Sequence, residues 1–131
     1  MQKISRRLLS VLAMTSLAVS GAAAIASPAS AAQSDCPSGY ICFWRDINFN
    51  NSRYQFRDRG WQFLGWYGAN DAADSVYNRT GMNVRLSLNW SGSAGTSPFI
   101  CLQNGAAPND LGAIYGQSWH DSVSGVNIGG C

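Results

Sequence analysis

From residue 32 onward, apolar positions come in short runs broken by turn residues. The clearest run is Asn83–Leu88, where Val84, Leu86 and Leu88 alternate with Arg85 and Ser87, the period of a strand with one buried face. Similar runs predict strands over Tyr40–Arg45, Arg53–Arg57, Ser75–Tyr77, Pro98–Leu102 and Ser122–Ile128, with turn-rich segments between them. The stretch Gln103–Gly116 holds Gly105, Pro108, Asn109 and Gly112 and has no period. It predicts a long loop, a segment type that often carries function in a compact domain.

The first residues follow another pattern. Lys3, Arg6 and Arg7 precede an apolar run from Leu8 through Ile25 that ends in small residues, the layout of an export signal. Ala29-Ser30-Ala31 fits a signal peptidase, which requires small side chains at the last and third-last positions. The expected organisation is therefore a signal peptide over 1–31 and one domain over 32–131, with Gln33 an alternative start. Ser5-Arg6-Arg7 also suits twin-arginine export, and both routes stay open. Once the signal is removed, no membrane association is expected.

Removing the leader changes the charge. The rest of the chain has six arginines against seven aspartates, a net charge of −1, although the whole chain carries +2. A nucleic-acid partner needs a basic stripe that displaces counterions, and this near-neutral domain lacks one. Beyond residue 31 there is no Lys or Glu, yet all the Phe, Trp and Tyr residues lie there, which favours strands and tight turns over exposed helices. About a hundred residues make one modest core, expected to act as a monomer and to gain from covalent staples.

Four cysteines in an exported chain imply two bridges with three connectivities, among which sequence alone does not choose. Cys36–Cys42 is favoured because Pro37-Ser38-Gly39 between them is a turn sequence, leaving Cys101–Cys131 to tie the last residue to the body. Thiol ligation of a metal is disfavoured: there is no CxxC pair, and His120 is the sole histidine.

An internal echo suggests two related units. Phe49-Asn50-Asn51-Ser52 returns as Trp90-Ser91-Gly92-Ser93, and Asp74-Ser75-Val76 as Asp121-Ser122-Val123. A strand, an aromatic corner, a second strand and then an (Asn/Asp)-(Asn/Asp)-x-x-(Ser/Thr)-Ser signature resembles a βγ-crystallin Greek key, with Asn70-Asp71-Ala72-Ala73-Asp74-Ser75 as the signature. The opening Cys36-Pro37-Ser38-Gly39-Tyr40-Ile41-Cys42, followed by Phe43-Trp44-Arg45-Asp46, is similar to secreted bacterial proteins of the Streptomyces metalloproteinase-inhibitor family. The resemblance implies an all-β, disulfide-stapled, βγ-crystallin-like Greek-key sandwich of two pseudo-repeated units. It is close over 36–78 and looser from 83 onward.

The resemblance implies a secreted protease as partner, of the thermolysin-like zinc class. Such an inhibitor presents a rigid loop, since pre-ordering removes the entropy a flexible substrate would lose. These proteases favour a bulky apolar residue after the scissile bond, which makes Cys101–Leu102 the candidate inhibitory bond; the rival reading of Leu102 is an ordinary core-facing strand residue. No cofactor is required. The crystallin resemblance adds calcium as an optional one, with Asn70, Asp71, Asp74 and Ser75 as candidate ligands, against the bland reading that they bond turn amides. The later stretch Gln117–Ser122 keeps Asp-Ser but lacks the leading Asn/Asp pair.

Catalysis is not expected. His120 has Asp121, Ser118 and Ser122 nearby in sequence, but neighbours along a strand or turn point apart, and no nucleophile-elbow or HExxH motif is present. Trp61 and Trp66, within the glycine-flanked segment Gly60–Gly68, are the tryptophans expected at the surface, where aromatic faces can stack on sugars. The leading function is protease inhibition. The alternative is a crystallin-type calcium-binding, structural or toxin-like extracellular protein that inhibits nothing.

Overall fold

The computed structural model describes residues 32–90 and 97–131, so the leader expected over 1–31 lies outside the described residues. Two antiparallel sheets face each other. The first has the order β2 (Asn50–Phe56), β1 (Ile41–Asp46), β4 (Ser75–Asn78); the second has the order β3 (Gly60–Phe63), β7 (Gly125–Ile128), β5 (Val84–Ser87), β6 (Phe99–Leu102). The strand expected from the strict alternation of Val84 and Leu86 is β5, and both side chains are fully buried between the sheets.

Pairing registers expose the two units. Ile41 faces Phe56 and Asn78 in the first, and Val84 faces Leu102 and Ile128 in the second. β1, β2 and β4 thus correspond to β5, β6 and β7. Ahead of β4 the N–H of Asp74 donates to Trp44 O at 3.0 Å, and ahead of β7 the N–H of Ser124 donates to Ser87 O at 2.9 Å. Asp74 is therefore the counterpart of Ser124, and Asp71 of Asp121; both of the latter hold left-handed backbone, at φ 49° and 47°. The echo read from Asp74-Ser75-Val76 against Asp121-Ser122-Val123 is corrected by three residues, because hydrogen-bond register and not local spelling sets equivalence.

Each unit lends a ribbon to the other's sheet. β3, from the first unit, pairs with β7. In return the segment 105–111 runs antiparallel to β4: Gly105 N donates to Asn78 O, Asn78 N to Ala106 O, Val76 N to Pro108 O and Leu111 N to Asp74 O, at 2.8–3.1 Å. The long loop expected over Gln103–Gly116 is thus a docked ribbon followed by a short helix, α1 (Leu111–Tyr115), whose first turn is capped by Asp110 Oδ1 accepting from Ala113 N at 2.8 Å. Periodicity failed there because Ala106 and Pro108 bind through backbone carbonyls and not through a side-chain stripe.

β3 escaped the sequence pattern for a different reason: its polar residue points inward. Gln62 is buried and its Nε2 donates to Asp58 O at 2.6 Å, while Trp61 and Phe63 lie on the outer face. The main core joins Ile41, Phe43, Phe56, Leu64, Val84, Leu86, Leu102, Leu111, Val123 and Val126. Phe43 and Phe56 meet edge to face, with centroids 5.7 Å apart. A second cluster packs Cys36 and Cys42 on Trp44. Cys36 is bonded to Cys42 and Cys101 to Cys131. At 25 cal/mol per Å² of apolar surface each large core side chain stabilises the fold by about 2 kcal/mol.

Candidate functional site

Three surfaces combine exposure with fixed geometry. The first lies where the loops ahead of β4 and β7 meet. Left-handed backbone at Asp71 and Asp121 turns each chain back toward the other unit. Aspartate tolerates this conformation better than most residues, because its short side chain bonds nearby amides. Ser124 Oγ donates to Asp71 Oδ1 at 3.0 Å, and the N–H of Asp121 donates to Asp74 Oδ1 at 2.9 Å. Position two of each loop thus meets position five of the other.

On the Asp74 side, His120 Nδ1 sits 3.1 Å from Asp74 Oδ1 and 3.2 Å from Asp121 Oδ2. Asp74 is only 6% exposed. Burial pushes its carboxyl above the ordinary 3.8; the amide of Asp121 opposes this, the Asp121 charge adds to it, and His120 opposes it. On the Asp71 side, Asn70 Nδ2 donates to Asp71 Oδ2 at 2.6 Å, and Asn70 Oδ1 is buried without a hydrogen-bond partner.

The expected calcium quartet is divided by this geometry. Asn70, Asp71 and Asp74 line one cavity together with His120 and Asp121. Ser75 does not: its Oγ donates to Asp46 O at 2.7 Å and accepts from Phe49 N at 3.0 Å, which ties down the hairpin corner. The sequence pattern brought His120 forward for catalysis and as a partner for the thiols, and not as a donor beside Asp74. Taking Ser124 as the fifth position would have aligned His120-Asp121 with Asn70-Asp71. Ser122 Oγ donates to the backbone O of His120, and among the described residues no serine hydroxyl bonds the imidazole, so no nucleophile is assembled.

The second surface is β6, an edge strand. Leu102 is 1% exposed and packs in the main core, so the Cys101–Leu102 bond cannot present Leu102 to a protease pocket without unfolding the strand; core burial overrides the reading of Leu102 as the specificity residue. Phe99 and Cys101 point the other way. Phe99 is half exposed, with the Arg85 guanidinium 4.0 Å from its ring centroid.

The third surface is aromatic. Trp66 is 69% exposed, on the 3₁₀ turn Leu64–Tyr67. Phe63 stacks on Trp90 at 5.2 Å, and Trp66 meets both rings edge to face, at 5.8 and 5.7 Å. Trp61 is half-buried beside Trp90, so of the two tryptophans expected outside only Trp66 is fully so.

Known proteins agree with this architecture. Residues 29–87 match peptidase inhibitor family I36. No curated protein matches the chain in sequence. Among solved structures, one from work on the evolution of the eye lens βγ-crystallin domain fold superposes with TM-score 0.58 and 18% identity, covering 70% of this chain and 87% of the other. A βγ-crystallin from Ciona intestinalis gives 0.54 and 18%, covering 69% and 99%. Spherulin 3a from Physarum polycephalum gives 0.54 and 18%, covering 71% and 85%. Identities this low establish the fold alone. Among the described residues, no helix is long and apolar enough to cross a membrane.

Proposed function

From a chain whose residues 29–87 carry the pattern of peptidase inhibitor family I36 on a βγ-crystallin fold, we propose a secreted inhibitor of thermolysin-like metallopeptidases, one molecule per enzyme. The family match is the observation that carries this reading. Two disulfides suit an oxidising compartment outside the cell, and the leader expected over 1–31 supplies the route. The contact is the outer edge of β6, tied along one side to β5 and at Cys101 to Cys131. Peptidases bind substrates as extended strands, so a pre-formed edge joins the cleft without the entropy cost of ordering. Phe99 supplies the bulky apolar side chain that Leu102, held in the core, does not.

The test is a titration of thermolysin with the purified protein. Residual activity should fall to near zero close to one molar equivalent; full activity at a large molar excess would remove the metallopeptidase target. A serine peptidase assayed in parallel separates a change of target from an absence of inhibition.

A second reading is favoured by Asn70, whose buried Oδ1 has no partner. Calcium takes oxygen ligands, and Asn70, Asp71 and Ser124 offer three. Calorimetric titration with calcium chloride checks this. The absence of saturable heat in the native protein, or equal heat in Asp71→Ala, would end it.

A further inference from the structure

The two loop junctions are equivalent in backbone but not in chemistry. One offers only oxygen; the other places an imidazole nitrogen where its counterpart has the Asn70 amide. We propose that Asp74, His120 and Asp121 form a binding site for a divalent transition metal of the zinc type, shared between the two units.

Four observations support it. The three donor atoms converge: His120 Nδ1, one carboxylate oxygen of Asp74 and one of Asp121 all lie within 4.8 Å of one another. The two nitrogen-to-oxygen separations, 3.1 and 3.2 Å, are close to the edge of about 3.3 Å in a tetrahedron with zinc bonds of about 2.0–2.1 Å. Asp74 is a carboxylate more than nine-tenths buried, and its Oδ1 accepts from the backbone amide of Asp121. A cation would offset that burial, and the Asp74 side chain lies in the wall of the cavity that His120 and Asp121 also line. Finally, among the described residues this is the one group of three or more His, Cys, Asp or Glu donors close enough to share an ion. His120 is the sole histidine, and all four cysteines are in bridges, so no free thiolate is present.

The donor set selects the metal. A neutral imidazole and two carboxylates suit zinc and its neighbours, which are satisfied by four ligands and leave one position to water. Calcium needs six to eight oxygens and gains little from a ring nitrogen. His120 and Asp121 are both about half exposed, so an ion reaches them directly. Bound there, it would link Asp74 of the first unit to the second and hold the folded form by mass action. Inhibition does not depend on this site, so failure to inhibit thermolysin would leave zinc binding standing.

Untagged protein, stripped with a chelator, is titrated with zinc chloride by calorimetry in a buffer that does not bind metal. One zinc per chain is expected, with a rise in Tm of roughly 10 °C at a hundredfold excess over Kd, reversed by EDTA. The single imidazole signal in nitrogen-15 NMR should shift at Nδ1. His120→Ala and Asp74→Asn should each weaken binding at least tenfold, and Asp58→Asn, an exposed aspartate outside this cavity, should leave it unchanged; folding of each variant is verified by circular dichroism. Millimolar calcium should not displace zinc. No saturable binding, equal affinity in folded His120→Ala, or displacement by calcium would each overturn the proposal.

Discussion

The amide of Asp121 donates to Oδ1 of Asp74 at 2.9 Å, across 47 residues of chain. That bond joins the two Greek-key units and places His120 against a buried carboxylate. The hydroxyl of Ser124 on Asp71 repeats the relationship from the other side, at 3.0 Å. Two crossed contacts of this kind fix how the units sit, since each loop is held by the other's fifth residue.

The proton on Asp74 is linked to stability. Its folded-state pKa is raised, first by burial, so folding is less favourable with Asp74 ionised than with it protonated. This contribution is fully present below the ordinary value of 3.8 and is lost as pH rises through the folded pKa. Asp74→Asn should therefore gain stability relative to the native protein as pH rises through that window, measured by urea denaturation at several pH values. Equal pH slopes for the two proteins would refute it.

Leu102 and Phe99 separate folding from binding. Leu102→Ala empties a core site and should cost about 2–5 kcal/mol, lowering Tm by 10 °C or so at the least. Phe99→Ala removes a half-exposed ring and should move Tm little while raising the inhibition constant for thermolysin tenfold or more. Unchanged inhibition by Phe99→Ala would displace the contact from β6.

Ser75 holds the corner between β1 and β2. Ser75→Ala leaves the part-buried amide of Phe49 without its acceptor and should cost about 2 kcal/mol, or roughly 10 °C in Tm. Differential scanning calorimetry measures this directly.

Gly65 lies beneath the Phe63 ring. A Cβ there would fall 2.3 Å from Phe63 Cζ, so Gly65→Ala must displace the ring and open its stack on Trp90. The expected loss is about 1–3 kcal/mol with a changed near-ultraviolet circular dichroism spectrum. An unaltered spectrum would show that the ring finds another seat without cost.

The two bridges differ in access. Cys36 and Cys42 are fully buried against Trp44, whereas Cys101 and Cys131 are exposed. Mild thiol should reduce Cys101–Cys131 first. Alkylation with peptide mass mapping reports the order, and early labelling of Cys36 would contradict it.

Much of the fold could be read along the chain. Alternation at Val84, Leu86 and Leu88 located β5, and the Asn70–Ser75 signature with the Cys36–Asp46 opening pointed to a crystallin sandwich and an inhibitor family. These features are local: a strand's period and a turn's chemistry are written in consecutive residues. β3 was hidden because Gln62 faces inward, and the 105–111 ribbon was hidden because its backbone carries the pairing.

What only tertiary structure decided is which distant residues meet. Sequence supplied Asp74, His120, Leu102 and Phe99 as residue types at known positions. Register placed Leu102 in the core and Phe99 outside, and it shifted the pseudo-repeat by three so that His120 faces Asp74. Neither outcome is encoded locally, because pairing is settled by hydrogen bonds and buried area summed over both sheets, and a slip of one residue reverses every side chain.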